Sequence, residues 1–367
     1  MKKKYFAAAI AAMMISVANA QGLKDVMKDK FLVGTALNTW QIGGNKDMKI
    51  LELVDEHFSS IVAEDCMKSE NLQPLEGEFR FGDADKFVNW GIEHNKFVVG
   101  HCLVWHSQAP GWFFSAPWGK KMTRELMIQR MKEHIYTVVG HFRGRVKGWD
   151  VVNEAIEGDG TLRKSPFLNI IGEDFIELAF KFAHEADPDA ELYYNDYGMD
   201  GEKKRNRVVK LIRDLKAAGC RIDAVGMQSH VAFDTDLSEY EKSLKAFAAE
   251  GVKVSVTELD LSVLPWPEQG MGAAVEQNYA YNEKLNPYRN GLPKEKAKEF
   301  NDFMTKLFDI YLRNSDSMER VTFWGMLDSD SWKNNWPVTG RTDYPLAFDR
   351  NYEPKPFVKD LIKKLKK

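Results

Sequence analysis

Only three cysteines, Cys66, Cys102 and Cys220, occur among 367 residues. An odd number without close spacing is no disulfide framework, and no paired Cys-x-x-Cys is present to hold a structural zinc. All three lie in or beside apolar, strand-like runs and read as small buried hydrophobes. Charge of one sign is missing too. The formal net charge of −3 gives no reason to expect nucleic acid or an anionic membrane as partner. No internal repeat, low-complexity tract or interdomain linker interrupts the chain. No apolar run is long enough to span a bilayer. The longest, from about Phe6 to Val17, follows Lys2, Lys3 and Lys4 and precedes Ala18-Asn19-Ala20. That is the layout of a secretory signal peptide, so residues 1–20 are expected to be removed and the protein to be secreted or periplasmic.

What remains, 21–367, is long for one simple domain but normal for a (β/α)8 barrel carrying loop insertions. Eight strand-like runs are legible: Phe31–Leu37, Ser60–Ala63, Phe97–Leu103, Val146–Val152, Glu191–Tyr194, Ile222–Met227, Val252–Thr257 and Val321–Gly325. Helical patterns lie between them. Phe175, Leu178 and Phe182 share one face before Asp187-Pro188, and Ser238 with Glu241 forms a capping-box pattern ahead of Leu244 and Phe247. Eight strand–helix repeats argue for α/β architecture with a parallel sheet, and eight is the number that closes a TIM barrel in a single catalytic domain. One long irregular segment, 262–293, rich in Pro, Gly, Asn and Tyr, follows the seventh run and is expected to wall the active site.

Catalytic groups in such barrels project from the C-terminal ends of the strands. The ends here are unusually polar and aromatic. Run two ends in Glu64-Asp65 with Lys68 beyond; run three carries His101, then Trp105 and His106. Run four ends in Asn153-Glu154, and run five in Asn195-Asp196-Tyr197. Run six leads to Gln228 and His230, run seven to Glu258 and Asp260, run eight to Trp324 and then Trp332. Any one of these could be a surface cap; together on one rim they make a site. Two carboxylates on strands across the barrel mouth suit glycoside hydrolysis, in which one protonates the leaving oxygen while the other attacks the anomeric carbon. An ionised Glu258 is expected to keep the proton on Glu154 by disfavouring a second negative charge.

These residues carry a resemblance. Gly100-His101-Cys102-Leu103-Val104-Trp105-His106, Trp149-Asp150-Val151-Val152-Asn153-Glu154-Ala155, Thr257-Glu258-Leu259-Asp260 and Trp324-Gly325 through Trp332 are similar to glycoside hydrolase family 10 endo-xylanases, in order through the whole mature chain. The resemblance implies a secreted endo-1,4-beta-xylanase acting on xylan or xylo-oligosaccharides by a retaining double displacement, with no cofactor or metal. It implies Glu154 as acid/base and Glu258 as nucleophile, with His230 bonded to Glu258 and Asp260 supporting His230. Asn153 would bond the sugar 2-hydroxyl. Glu64, Lys68, His101, Trp105 and Gln228 would line the glycone side, Trp324 and Trp332 would frame the sugar at the cleavage point, and Tyr197 would stack on the aglycone side.

Two departures stand out. Asp65 occupies a position where the family usually has Asn; it either accepts a hydrogen bond from a distal sugar or pairs with Lys68 or caps the following turn. The 262–293 segment and Lys333-Asn334-Asn335-Trp336 enlarge the rim. Rival readings are another β-1,4-glycan hydrolase, a metal-dependent hydrolase using His101, His106 and His230, and a non-catalytic sugar-binding protein. The last has no use for two glutamates.

Overall fold

The structure, a computed structural model, describes residues 21–42, 48–267 and 278–366. The expected signal peptide therefore lies outside the described residues, as does part of the 262–293 segment. The eight expected strands are present as β1 (Leu32–Leu37), β2 (Ser60–Ala63), β3 (Phe97–Val104), β4 (Gly148–Asn153), β5 (Glu191–Asp196), β6 (Ala224–Met227), β7 (Lys253–Leu261) and β8 (Met318–Phe323). Each pairs in parallel with the next. Pairing of β1 with β8, Leu32 opposite Arg320, closes the barrel. All six residues of β4 are buried, as expected of parallel strands covered on both faces.

A principal helix follows each strand: α1 (Met48–His57), α2 (Gly82–Glu93), α3 (Arg124–His141), α4 (Phe175–Ala186), α5 (Glu202–Ala217), α6 (Leu237–Ala249), α7 (Lys294–Arg313) and α8 (Pro356–Leu365). The main apolar core lies between these helices and the outer faces of the strands. Helix α4 stops at Asp187-Pro188, as its sequence predicts. Helix α6 does not start at the expected capping box. Asp236 caps it, accepting from the amides of Ser238 (2.8 Å) and Glu239 (3.2 Å), because its short carboxylate reaches both unpaired donors of the first turn. Glu241 instead binds Arg313 on α7.

Inside the barrel the apolar filling is small: Ala36, Val62, Val99, Tyr193 and Ala224, with Trp324 above. Polar groups occupy the rest of the axis. His101 and Asp150 sit side by side in the β3–β4 register and bond at 2.9 Å. The guanidinium of Arg320, 1% exposed, lies 4.0 Å from Asp150 and 3.2 Å from Glu319. Below it the Tyr193 hydroxyl lies 2.6 Å from Glu191 and 3.0 Å from Glu319. The three cysteines are free and buried, as their surroundings implied.

Candidate active site

A cleft of about 820 Å³ opens at the C-terminal ends of the strands. Glu64, Asp65, Lys68, His101, Trp105, Asn153, Glu154, Tyr197, Gln228, His230, Glu258, Trp324 and Trp332 line it directly, whereas His106, Asn195, Asp196 and Asp260 of the expected rim do not. Asp260 lies fully buried behind His230. Trp266 and Pro267 of the 262–293 segment and Lys333 and Trp336 also line the cleft; described residues 278–293 of that segment do not.

Glu154 follows directly on β4, with φ at 58°, a left-handed conformation that costs a non-glycine residue energy and is kept where function demands it. The turn is held by the Glu154 amide donating to the Asn195 carbonyl at 2.9 Å and by Arg163 Nε donating to the Glu154 carbonyl at 2.7 Å. The carboxyl that results points into the cleft with both oxygens occupied. Gln228 Nε2 donates to Oε1 at 3.0 Å and the indole of Trp105 to Oε2 at 2.9 Å. Burial pushes the Glu154 carboxyl above its ordinary range, the negative charge of Asp196 adds to this, and Glu258 contributes less. The sequence-based expectation that Glu258 is what keeps this proton is thus corrected: desolvation comes first and Asp196 second, because Asp196 is buried beside Glu154 where its field is little screened.

Glu258, on β7, has the opposite environment. Asn195 Nδ2 donates to its Oε1 at 2.8 Å and His230 Nε2 to its Oε2 at 3.2 Å. Burial alone would raise this carboxyl, but the His230 hydrogen bond, the imidazoles of His101 and His230, and the Asn195 amide outweigh it and hold it below the ordinary value. His230 faces carboxylates at both nitrogens, Glu258 at Nε2 and Asp260 at Nδ1 (2.9 Å), so both must donate. Burial opposes that charge, yet Asp260 and Glu258 push the imidazole up to about 9.

Polar groups join the two carboxylates. Asn153 Oδ1 accepts from Asn195 at 3.0 Å and from Gln228 at 3.2 Å, and these same amides bond Glu258 and Glu154. With its oxygen used twice, Asn153 turns its amino group towards the cleft.

Near β2, burial and the charge of Asp65 push Glu64 up to about 7, despite the Asn38 hydrogen bond. Asp65 bonds Lys68 at 2.9 Å, the pairing alternative raised by its sequence position, while still lining the cleft. Tyr197 accepts from Arg163 at 2.7 Å. Sequence reasoning missed the roles of Asn195, Asp196 and Arg163. Their signal was weak: a polar pair ending β5, and an arginine in a loop.

With that geometry in hand, the sequence matches Glycosyl hydrolase family 10 over residues 22–364. The chain belongs to glycosyl hydrolase family 10. It is 55% identical to endo-1,4-beta-xylanase A of Xylanibacter ruminicola, over 94% of each chain. It spans only 30% of the larger endo-1,4-beta-xylanase A of Thermotoga maritima, at 41% identity over 91% of its own length. A family 10 endoxylanase from a sugarcane soil metagenome superimposes with a TM-score of 0.90 at 44% identity, covering 94% of this chain and all (100%) of that one. The intracellular xylanase of Thermoanaerobacterium saccharolyticum, solved as a mutant with xylotriose, superimposes at 0.81 with 33% identity, covering 94% and 99% of the two chains. The family 10 barrel and its strand-end cleft are therefore those of a glycoside hydrolase.

Proposed function

We propose that this family 10 enzyme is an endo-1,4-beta-xylanase that cleaves internal bonds of xylan with retention, using Glu154 as acid/base and Glu258 as nucleophile. The carrying observation is the split environment of two buried glutamates in one cleft, Glu154 raised and Glu258 lowered. That split supports Glu154 as the acid and Glu258 as the nucleophile. The xylanase names of the relatives support the substrate.

In the first step the Glu154 proton passes to the glycosidic oxygen as the C1–O bond breaks, and a Glu258 oxygen bonds C1. The departing chain leaves with the proton. In the second, Glu154 takes a proton from water, the water oxygen bonds C1, and Glu258 leaves as a carboxylate. The Asn153 amino group, aimed by its doubly used oxygen, donates to the sugar 2-hydroxyl oxygen and leaves that hydroxyl's own proton to donate, a bond that strengthens as positive charge develops. Among the described residues no group of His, Cys, Asp and Glu is arranged to hold a metal ion, and His101 and His230 are committed to carboxylates. We also propose export directed by residues 1–20; N-terminal sequencing of the protein recovered outside the cytoplasm should begin at Gln21.

The test separates the glutamates by leaving group. Glu258→Ala should stop turnover of both xylan and activated aryl xylobiosides. Glu154→Ala should still form the intermediate from an aryl glycoside needing no protonation, and azide should restore turnover as the β-glycosyl azide. An α-azide product sinks the assignment. Initial rates on xylan should far exceed those on carboxymethylcellulose; equal rates would point to a broader β-1,4-glycan hydrolase.

A further inference from the structure

The hydrogen-bonded series Glu258–His230–Asp260 does not end at Asp260. One oxygen of that carboxylate, Oδ2, accepts from His230 at 2.9 Å and from the Trp332 indole at 2.8 Å. The other, Oδ1, is buried and takes no hydrogen bond from the described residues; it faces the ammonium of Lys333 at 3.7 Å. Lys333 follows β8 on a short 3-10 turn, Trp332–Asn334, and is only 2% exposed. A lysine is rarely buried so far without a reason, since its charge must be compensated.

The compensation here is aromatic as well as ionic. The Lys333 ammonium lies 4.3 Å from the ring centre of Trp332, 4.9 Å from Trp266 and 5.5 Å from Trp336, within cation–π range of all three. Trp332 and Trp336 stack at 4.6 Å and 14°, and Trp266 meets Trp336 edge-on at 5.5 Å. Other charges facing the ammonium are Asp343, which attracts it, and Arg341, which repels it; His230 lies on the far side of Asp260.

We propose that Lys333 is a positioning residue for the nucleophile, closing a series of alternating charges from Glu258 through His230 and Asp260 while fixing the tryptophan wall of the cleft. The proposal rests on Glu258 being the nucleophile. With Lys333 the series Glu258⁻, His230⁺, Asp260⁻, Lys333⁺ is neutral; without it, one negative charge is left over and a proton is held more tightly. The same cation acts on the second chemical step. In the covalent intermediate Glu258 is esterified and uncharged, so His230, Asp260 and Lys333 carry a net positive charge. That charge favours departure of Glu258 as a carboxylate.

Lys333→Met and Lys333→Gln both remove the charge, and either folded variant decides the matter; Lys333→Arg keeps it. The acidic limb of kcat/KM should move up by about half to one pH unit in the uncharged variants, because the ionised nucleophile loses a favourable field, and should stay in place in Lys333→Arg. On an aryl xylobioside whose second step limits turnover, kcat should fall roughly tenfold with KM falling alongside as intermediate accumulates. A purely structural lysine would lower activity or stability without moving the limb or the kcat-to-KM relation. An acidic limb matching wild type in the uncharged variants overturns the proposal. If Glu258→Ala is inactive in that same assay, the nucleophile assignment survives that outcome; if Glu258→Ala is active, the assignment itself fails.

Discussion

Asp196 holds its charge out of sight of solvent, and Glu154 responds to it. Its carboxylate is fully buried, paired with Lys204 at 2.7 Å and with the Tyr194 hydroxyl at 2.6 Å. After burial, it is the strongest influence keeping the Glu154 proton in place. Removing Asp196 alone would strand the ammonium of Lys204, which is 1% exposed, so the informative variant is Asp196→Asn combined with Lys204→Met. Without the anion, ionised Glu154 is less disfavoured and its pKa falls. The basic limb of the kcat/KM profile should therefore move to lower pH, by about one unit. A limb that stays put would mean that the Asp196 charge is not what holds the Glu154 proton. Glu258→Gln, which cannot turn over, should lower the Glu154 pKa less when that carboxyl is titrated directly, because the Glu258 charge is a smaller influence.

At the scale of elements, β6 owes its place to one glycine. A Cβ on Gly226 would stand 2.4 Å from Asn195 Oδ1 and 2.8 Å from Thr257 Cγ2. Strands β5 and β7 can thus hold Asn195 between Glu258 and Asn153 only because β6 presents no side chain there. Gly226→Ala should displace that amide, lowering kcat by roughly ten- to a hundredfold and stability by about 1–3 kcal/mol. Kinetics and thermal melting check both, and an active variant of normal stability would mean that the site adapts freely.

The strands were legible because parallel strands buried on both faces leave near-continuous apolar runs. β7 proved longer than its run, which the polar Glu258 and Asp260 had cut off at Thr257. Its tail pairs with the short strand His230–Val231, Asp260 opposite His230, so the very residues that ended the apolar pattern belong to the strand. Glu154, Glu258 and His230 were readable as polar groups ending apolar runs. Asn195, Asp196 and Lys333 were readable as rim residues, but their roles were not, since those depend on which neighbours the closed barrel packs against them. Asp150 did leave a trace: a charge inside Trp149–Val152, a run too apolar to tolerate one unpaired.

Across the whole molecule, the polar axis ends far from the cleft, where Glu191 and Glu319 open β5 and β8. Burial, then the hydrogen bond and charge of Glu319, push Glu191 up from 4.5 to about 8, while Arg320 helps keep Glu319 ionised against its burial. The pair shares one proton. Folded protein thus holds a proton that the unfolded chain releases above about pH 4.5. Stabilisation from Glu191 is complete below that pH and is lost as pH rises through about 8. Glu191→Gln keeps the neutral form at every pH. Its melting temperature should match wild type near pH 5, exceed it at pH 8 and decline less between them. Parallel melting curves for the two proteins across that range would show that the pair plays no part.

The seam between β1 and β8, Leu32 opposite Arg320, also sets a schedule. Synthesis delivers β1 before the other seven strands and β8 after them, so the ring stays an open arc until β8 emerges. If residues 1–20 direct export, as proposed above, that delay is useful. No complete barrel can form behind the pore and jam it, and the final join falls to the far side. The same late seam leaves the strand edges at both ends of the arc unpaired until closure, so the interval before joining is when this protein is most open to self-association.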